Sequence, residues 1–422
     1  MFKLNLKENV EKIILDNGIT LLLEKMDYVN SSSVGFFLKS GSRNEKDNEN
    51  GYSHFCEHMI FKGTERYTKE DISRYFDEMG GYINAYTTHE TILVYNKIPY
   101  FNIMENINIV TDMFNNSIFD QKELELEKNV ILNEINSTME DPQEKIHEDF
   151  MFNIFKNNQL AKPIIGNKDS ILNVSRDNIY EFYKNYFSNE NIIISVAGNF
   201  EKNEIIDFFS NVSFRKGIIN SKSRAVQNIK GYDWTIMHSE QLHILTGTAN
   251  FNCDNDIDFF KCGLFNLILG ESMSGRLFQK LREELGLCYS VYSFFNKFKY
   301  ENLFGIYLSI LPKNIDITMK HLSEIIKNLK RNGIIKEELE KAKKQKIGEL
   351  ILNYDNIQNR MKRNALLEIR YKRHLSYDYI IELIDKITVE DINNLIKEIF
   401  VKENFFTQFL YKKKLKFTEM DF

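Results

Sequence analysis

The chain reads as an α+β protein of two tandem homologous domains, each a mainly antiparallel β-sheet packed on helices. Three observations predict this. The 422 residues are ample for two cores, and 43% hydrophobic with 27% charged residues is a globular balance. Landmarks in the first half recur about half a chain later. Each recurrence sits in the same alternation of paired strand-like stretches and helical patterns.

Ile60-Phe61-Lys62-Gly63 closes an apolar stretch, and Leu267-Ile268-Leu269-Gly270 closes its counterpart, 207 residues on (270 − 63). The charged segments that follow run to Gly80 and Gly286, 206 apart (286 − 80). Strand-like YINAYTTHETILVYNKIP and LCYSVYSFFNKFKYENLFGIYLSILP end at Pro99 and Pro312, 213 apart (312 − 99). Their apolar/polar alternation predicts sheets with one face buried on helices, and their short turns favour antiparallel pairing. The amphipathic patterns NIMENINIVTDMF and DITMKHLSEIIKNL follow as helices. Leu126-Glu127-Lys128 and Leu339-Glu340-Lys341 are again 213 apart (339 − 126). The domains are therefore expected at 1–212 and 232–422. The linker is expected at 213–231, SFRKGIINSKSRAVQNIKG, which is basic, polar and without apolar period.

Composition narrows the function. With 55 basic and 60 acidic residues the net charge is −5, which argues against a nucleic-acid binder. No apolar run approaches the ~18 residues of a membrane span. The four cysteines have no ligand-type spacing and read as reduced thiols. The N-terminal stretch MFKLNLKENVEKIILDNGIT has no apolar core and no small-residue cleavage site. A cytoplasmic location is expected.

Ser53-His54-Phe55-Cys56-Glu57-His58-Met59-Ile60-Phe61 has a helical pattern. At about 100° per residue, His58 lies ~40° from His54 and Glu57 ~60° to the other side. Two imidazoles on one face can grip a metal, and the carboxylate beside them can reach a water held there. Cys56 lies ~200° from His54 and is expected in the core. Only ~0.02 chance matches to H-x-x-E-H are expected in a chain with 8 His and 60 acidic residues. Catalytic zinc needs a third protein ligand and an open position. Glu127 and Glu134 lie seven apart on one face of a helical stretch, bordering Val130-Ile131. Residues alone leave a solvated acidic stripe as the other reading of that face.

The motif resembles that of the inverzincins, and specifically the pitrilysin–insulysin–mitochondrial processing peptidase superfamily. There H-x-x-E-H is followed about 75 residues later by a ligand Glu, with another Glu seven residues before it. Here 75 residues (59 through 133) separate His58 from Glu134, and Glu127 takes the earlier position. HFCEHMIFKGTERY is similar to the bacterial processing-peptidase-like branch. The resemblance covers essentially the whole chain, duplication included.

The resemblance implies a zinc endopeptidase acting on peptides or unfolded polypeptides. His54, His58 and Glu134 would be the ligands of one Zn²⁺ per chain, Glu57 the general base and Glu127 the residue orienting a ligand. At the corresponding positions of the second half stand Lys261, Leu264, Phe265 and Ile347, so that domain lacks a metal site. Arg282 and Tyr289, seven apart in the second half, match a family pair that binds the substrate carbonyl region. Residues alone read them as an ordinary helix cation and a strand start. Gly80–Thr87 resembles the family's edge strand, where Asn84 and Ala85 would receive an extended peptide. Glu144 and Glu148 match acidic positions that hold a substrate arginine, and a solvated helix face is the other reading.

In the family four such domains close a clamshell chamber. One chain would be half of it, implying a homodimer or a heterodimer with a related chain. Arg282 and Tyr289 would act in their own chain or across the chamber. The rival expectation is a non-catalytic core or regulatory subunit of the same fold, against which the intact His54, Glu57, His58 and Glu134 set argues.

Overall fold

The computed structural model describes residues 6–218, 229–253 and 255–422. The first half forms strands β1 (Val10–Ile14), β2 (Thr20–Lys25), β3 (Ser31–Leu38), β4 (Tyr82–Thr87), β5 (Ile92–Pro99) and β6 (Ile192–Gly198). Their order is β1-β2-β6-β3-β5-β4. Helices α1 (Tyr52–Met59), α2 (Lys69–Glu78), α3 (Ile103–Asn116), α4 (Gln121–Glu140), α5 (Pro142–Ile154), α6 (Lys168–Leu172), α7 (Arg176–Tyr186) and α8 (Lys202–Asn211) lie between and after them.

The second half forms β7 (Gly231–Ile236), β8 (Leu242–Thr248), β9 (Cys288–Lys297), β10 (Asn302–Ile310) and β11 (Phe406–Tyr411), ordered β7-β11-β8-β10-β9. Its helices are α9 (Asp256–Asn266), α10 (Ile315–Asn332), α11 (Lys336–Tyr354), α12 (Ile357–Tyr371), α13 (Tyr377–Lys386) and α14 (Val389–Ile399).

The ladders repeat the duplication. β2 pairs parallel with β6 as β7 does with β11. The remaining steps, β6-β3-β5-β4 and β11-β8-β10-β9, are antiparallel in both sheets. The α+β class and the mainly antiparallel sheets are as expected; among the described residues β1 has no counterpart in the second sheet.

The domain boundaries differ from the tandem split. One compact unit comprises Met1–Ser137, Lys162–Lys222 and Ile351–Ser376; the other comprises Thr138–Ala161, Ser223–Leu350 and Tyr377–Phe422. Apolar burial is the cause. In the first unit, α12 presses Ile357, Met361 and Ala365 onto Leu22, Phe37, Leu93, Ile193 and Ala197. In the second, α5 presses Ile146, Phe150 and Ile154 onto Leu245, Leu303, Tyr307, Phe406 and Leu410. The exchanged helices start 215 residues apart (357 − 142), so the exchange is itself duplicated.

This corrects the expectation of one buried sheet face. With helices on both faces, all seven residues of β6 and all six of β11 are buried; β6 reads as a continuous run of apolar or small residues, and β11 buries the polar Thr407 and Gln408 among its apolar ones. Gly35 on β3 admits α12 closely, since a Cβ there would lie 2.3 Å from the Met361 sulfur. Arg360 of α12 reaches the buried Glu24 with Nε 3.2 Å from Oε1, and Asn364 Nδ2 lies 2.9 Å from Oε2.

Of the expected linker, 219–228 lies outside the described residues. Its first residues belong to the first unit: Phe214 is in that core, and Ile218 N–H donates to Asn185 O at 2.9 Å. The other face of the first sheet packs Phe36, Val94 and Ile194 with Phe55 and Met59 of α1, Phe114 of α3 and Tyr183 of α7. That core holds α1 beside the sheet. No helix among the described residues is long and apolar enough to cross a membrane.

Candidate metal centre

Two features set the start of α1. Gly51 takes φ 91°, in the left-handed region that favours glycine, and a Cβ there would meet Gly166 Cα at 2.8 Å. The buried Glu45 then accepts from Gly51 N–H at 2.9 Å and Ser53 N–H at 2.8 Å, satisfying two backbone donors of the first turn. Burial pushes the Glu45 carboxyl up to about 7 in spite of those bonds.

The helix turns Phe55, Cys56 and Met59 into the core. Cys56 is the core thiol expected, its Sγ 3.9 Å from Ile179 O. The opposite face carries His54, Glu57 and His58. Opposite them, α4 buries Leu124, Glu127, Ile131 and Ile135 along one stripe, which brings Glu127 and its neighbour Glu134 to the imidazoles. His54, His58 and Glu134 each offer one ligand atom, and these lie within 4.8 Å of one another. The His54 and His58 Nε2 atoms are 3.3 Å apart, and Glu134 Oε2 is 3.7 Å from each. A tetrahedral ion with arms of ~2.0–2.1 Å has edges of about 3.3 Å, so this donor set fits zinc with little movement.

The two imidazoles differ: burial lowers the His58 pKa, but its bond to Glu127 and the carboxylates of Glu134 and Glu57 outweigh that and raise it. Burial and the neighbouring His58 push His54 down to about 3, which keeps it neutral. His58 Nδ1 lies 2.9 Å from Glu127 Oε2, and Lys62 Nζ lies 2.5 Å from Glu127 Oε1. Burial alone would raise Glu127, but these two partners outweigh it and hold its pKa below the usual value. An ionised Glu127 only accepts, so His58 carries a proton on Nδ1 and its Nε2 faces the cluster.

Glu57 stands beside this set. Burial raises its pKa, and the Thr87 hydrogen bond opposes that. Thr87 Oγ1 donates to Glu57 Oε2 at 2.5 Å.

β4 is the edge strand that the sequence predicts, with Asn84 exposed and Ala85 half-buried. Asn84 Oδ1 already accepts from Ala85 N–H at 2.8 Å, so a peptide pairing there must displace it.

The remaining expected residues fall in the second compact unit. Arg282 lies in the last turn of a helical segment, Phe278–Glu284, its guanidinium 4.8 Å from the Phe278 ring. Tyr289, on the edge strand β9, is 76% exposed. Glu144 and Glu148 share a face of α5, and burial pushes Glu148 up to about 7. The second copy of the motif helix, α9, buries Leu264 and Phe265 and pairs Lys261 with Asp258 at 3.2 Å, and among the described residues no donor set stands there.

Sequence reasoning missed Glu45, Lys62 and Thr87 as working parts of the site. Lys62 lies inside the quoted F-K-G-T, and Thr87 has the inward parity of Ile83 and Ala85. Glu45 carried no local signal, because a long-range cap has no fixed spacing.

Residues 20–168 match the family model described as insulinase (peptidase family M16), and residues 173–346 match the peptidase M16 inactive domain. The chain is 30% identical to an uncharacterized zinc protease, YmxG, of Bacillus subtilis, over 93% of this chain and 96% of the relative. It is 32% identical to an uncharacterized zinc protease of Rickettsia felis, over 94% and 96%. A crystal structure of a protease from Helicobacter pylori superposes with a TM-score of 0.87 at 20% identity, covering 96% of this chain and 99% of that one. Matched by these two family models and by relatives over nearly its whole length, the chain is a member of peptidase family M16.

Proposed function

We propose that the chain is a zinc-dependent endopeptidase that hydrolyses peptides or unfolded polypeptides. The observation that carries this is the meeting of His54, His58 and Glu134 at one point with the Glu57 carboxylate alongside. A zinc ion bound there supplies a positive centre that acidifies water toward neutrality and polarises a carbonyl. Glu57 takes the proton from the attacking water and returns it to the leaving amine. As ligands, His54 and His58 would be neutral, the latter oriented by Glu127. The edge of β4, with Asn84 and Ala85, aligns the extended peptide by backbone hydrogen bonds. Arg282 and Tyr289 offer a cation and a phenol to the developing oxyanion. Glu144 and Glu148 favour an arginine in the substrate. Two chains, identical or related, close the chamber that excludes folded proteins.

The names of the relatives and the donor set support the peptidase reading over a non-catalytic core subunit of the same fold. The test is a quenched fluorescent peptide library, with zinc measured in the same sample. The expected result is about one zinc per chain, cleavage, and loss of cleavage on chelation that added zinc restores. Activity per chain should rise with protein concentration if two chains form the chamber. Metal binding without cleavage of any peptide would favour the subunit reading.

A further inference from the structure

We infer that Thr87 is a positioning residue for the general base, and that it ties Glu57 to the strand along which substrate pairs. This rests on the peptidase reading above.

Glu57 projects from α1 beside His54 and His58, but its carboxylate is not fixed from α1. Among the described residues its single hydrogen-bond partner is Thr87, whose Oγ1 lies 2.5 Å from Oε2. A half-buried carboxylate with one partner has one oxygen fixed and one left for water. Without that bond the side chain has freedom about its χ angles, which a base must lose to act.

Thr87 is itself held firmly. It closes β4 opposite the buried Ile92. The next residue begins a tight turn, with Thr88 N–H donating to Thr91 O at 2.8 Å. Ser42 N–H then donates to Thr88 O at 3.2 Å, and Arg43 N–H to His89 O at 2.8 Å. Period-2 alternation sends Ile83, Ala85 and Thr87 to the α1 side of the sheet, and Ile83 and Ala85 pack on that core. The hydroxyl is therefore presented by the same strand whose outer edge carries Asn84 and Ala85. A peptide added to that edge orders β4, and through Thr87 orders the base.

The test compares Thr87→Val, which keeps the shape without the hydroxyl, with Thr87→Ser, which keeps the hydroxyl. Both are loaded with zinc and assayed on one peptide. The expected result for Thr87→Val is a kcat lower by about 10- to 100-fold, the range of a lost orienting partner, with KM, zinc content and Tm close to wild type. Thr87→Ser should recover most of that kcat. Equal losses in both variants, or a Thr87→Val kcat equal to wild type, would overturn the inference while leaving the peptidase reading intact. A zinc-loaded wild type that cuts nothing would overturn that reading and this inference with it.

Discussion

Glu127 stands behind His58, its Oε2 2.9 Å from Nδ1, while its other oxygen meets Lys62 Nζ at 2.5 Å. His58 is thus aimed by a carboxylate that is itself aimed by a lysine. Glu127→Ala should weaken zinc binding by about 10- to 100-fold, the usual effect of losing a partner behind a ligand. Competition against a chelator of known affinity measures this. An unchanged affinity would mean that the neighbouring core alone fixes the His58 ring.

Glu45 fastens the first turn of the helix that carries both histidines. Glu45→Ala leaves the Gly51 and Ser53 N–H groups buried without an acceptor. The expected cost is about 2–4 kcal/mol of stability, from two unsatisfied buried donors. Urea unfolding of the metal-free protein gives the number.

Arg360 and Glu24 form a buried pair that fixes α12 to the first sheet. Arg360→Met leaves a buried carboxylate without its cation and should cost about 3–5 kcal/mol. Replacing Glu24 by Gln in the same protein should recover part of the loss, because the remaining group is neutral. An Arg360→Met protein as stable as wild type would show that apolar contact alone seats α12.

Glu148 makes stability depend on pH. Its ordinary value is 4.5, and burial raises it to about 7 in the fold. Between those values the folded state holds the extra proton, so stability should fall as pH rises from about 4.5 to 7 and level off above. Glu148→Gln should remove a fall on the order of 2–3 kcal/mol, read as the difference between unfolding midpoints at about pH 5 and about pH 8. Any preference for arginine in the substrate should strengthen over the same rise, as Glu148 becomes an anion.

Much of this was legible in the sequence, for local reasons. The helical spacing of His54, Glu57 and His58 and the seven-residue spacing of Glu127 and Glu134 needed only the pitch of a helix. The duplication was visible because glycines and prolines mark its turns at matching places. The exchange of α5 and α12 was not legible. Both are ordinary amphipathic helices, and the partner of an apolar stripe is chosen by three-dimensional fit, here in part by Gly35 under Met361. The roles of Glu45 and Thr87 were hidden for a related reason. Each acts on α1 through a contact eight or thirty residues distant in the chain (53 − 45, 87 − 57), set by packing and by no spacing rule.

The most direct test of the account is Glu57→Gln, measured for zinc content and peptide cleavage in one preparation. Glu57 lies outside the donor set of His54, His58 and Glu134, so the variant should keep its metal. It should lose cleavage by about 10²–10⁴-fold, the contribution of a positioned base. A variant that holds zinc and cleaves at the wild-type rate would contradict the assignment of Glu57. A variant that loses zinc would contradict the separation of base from ligands.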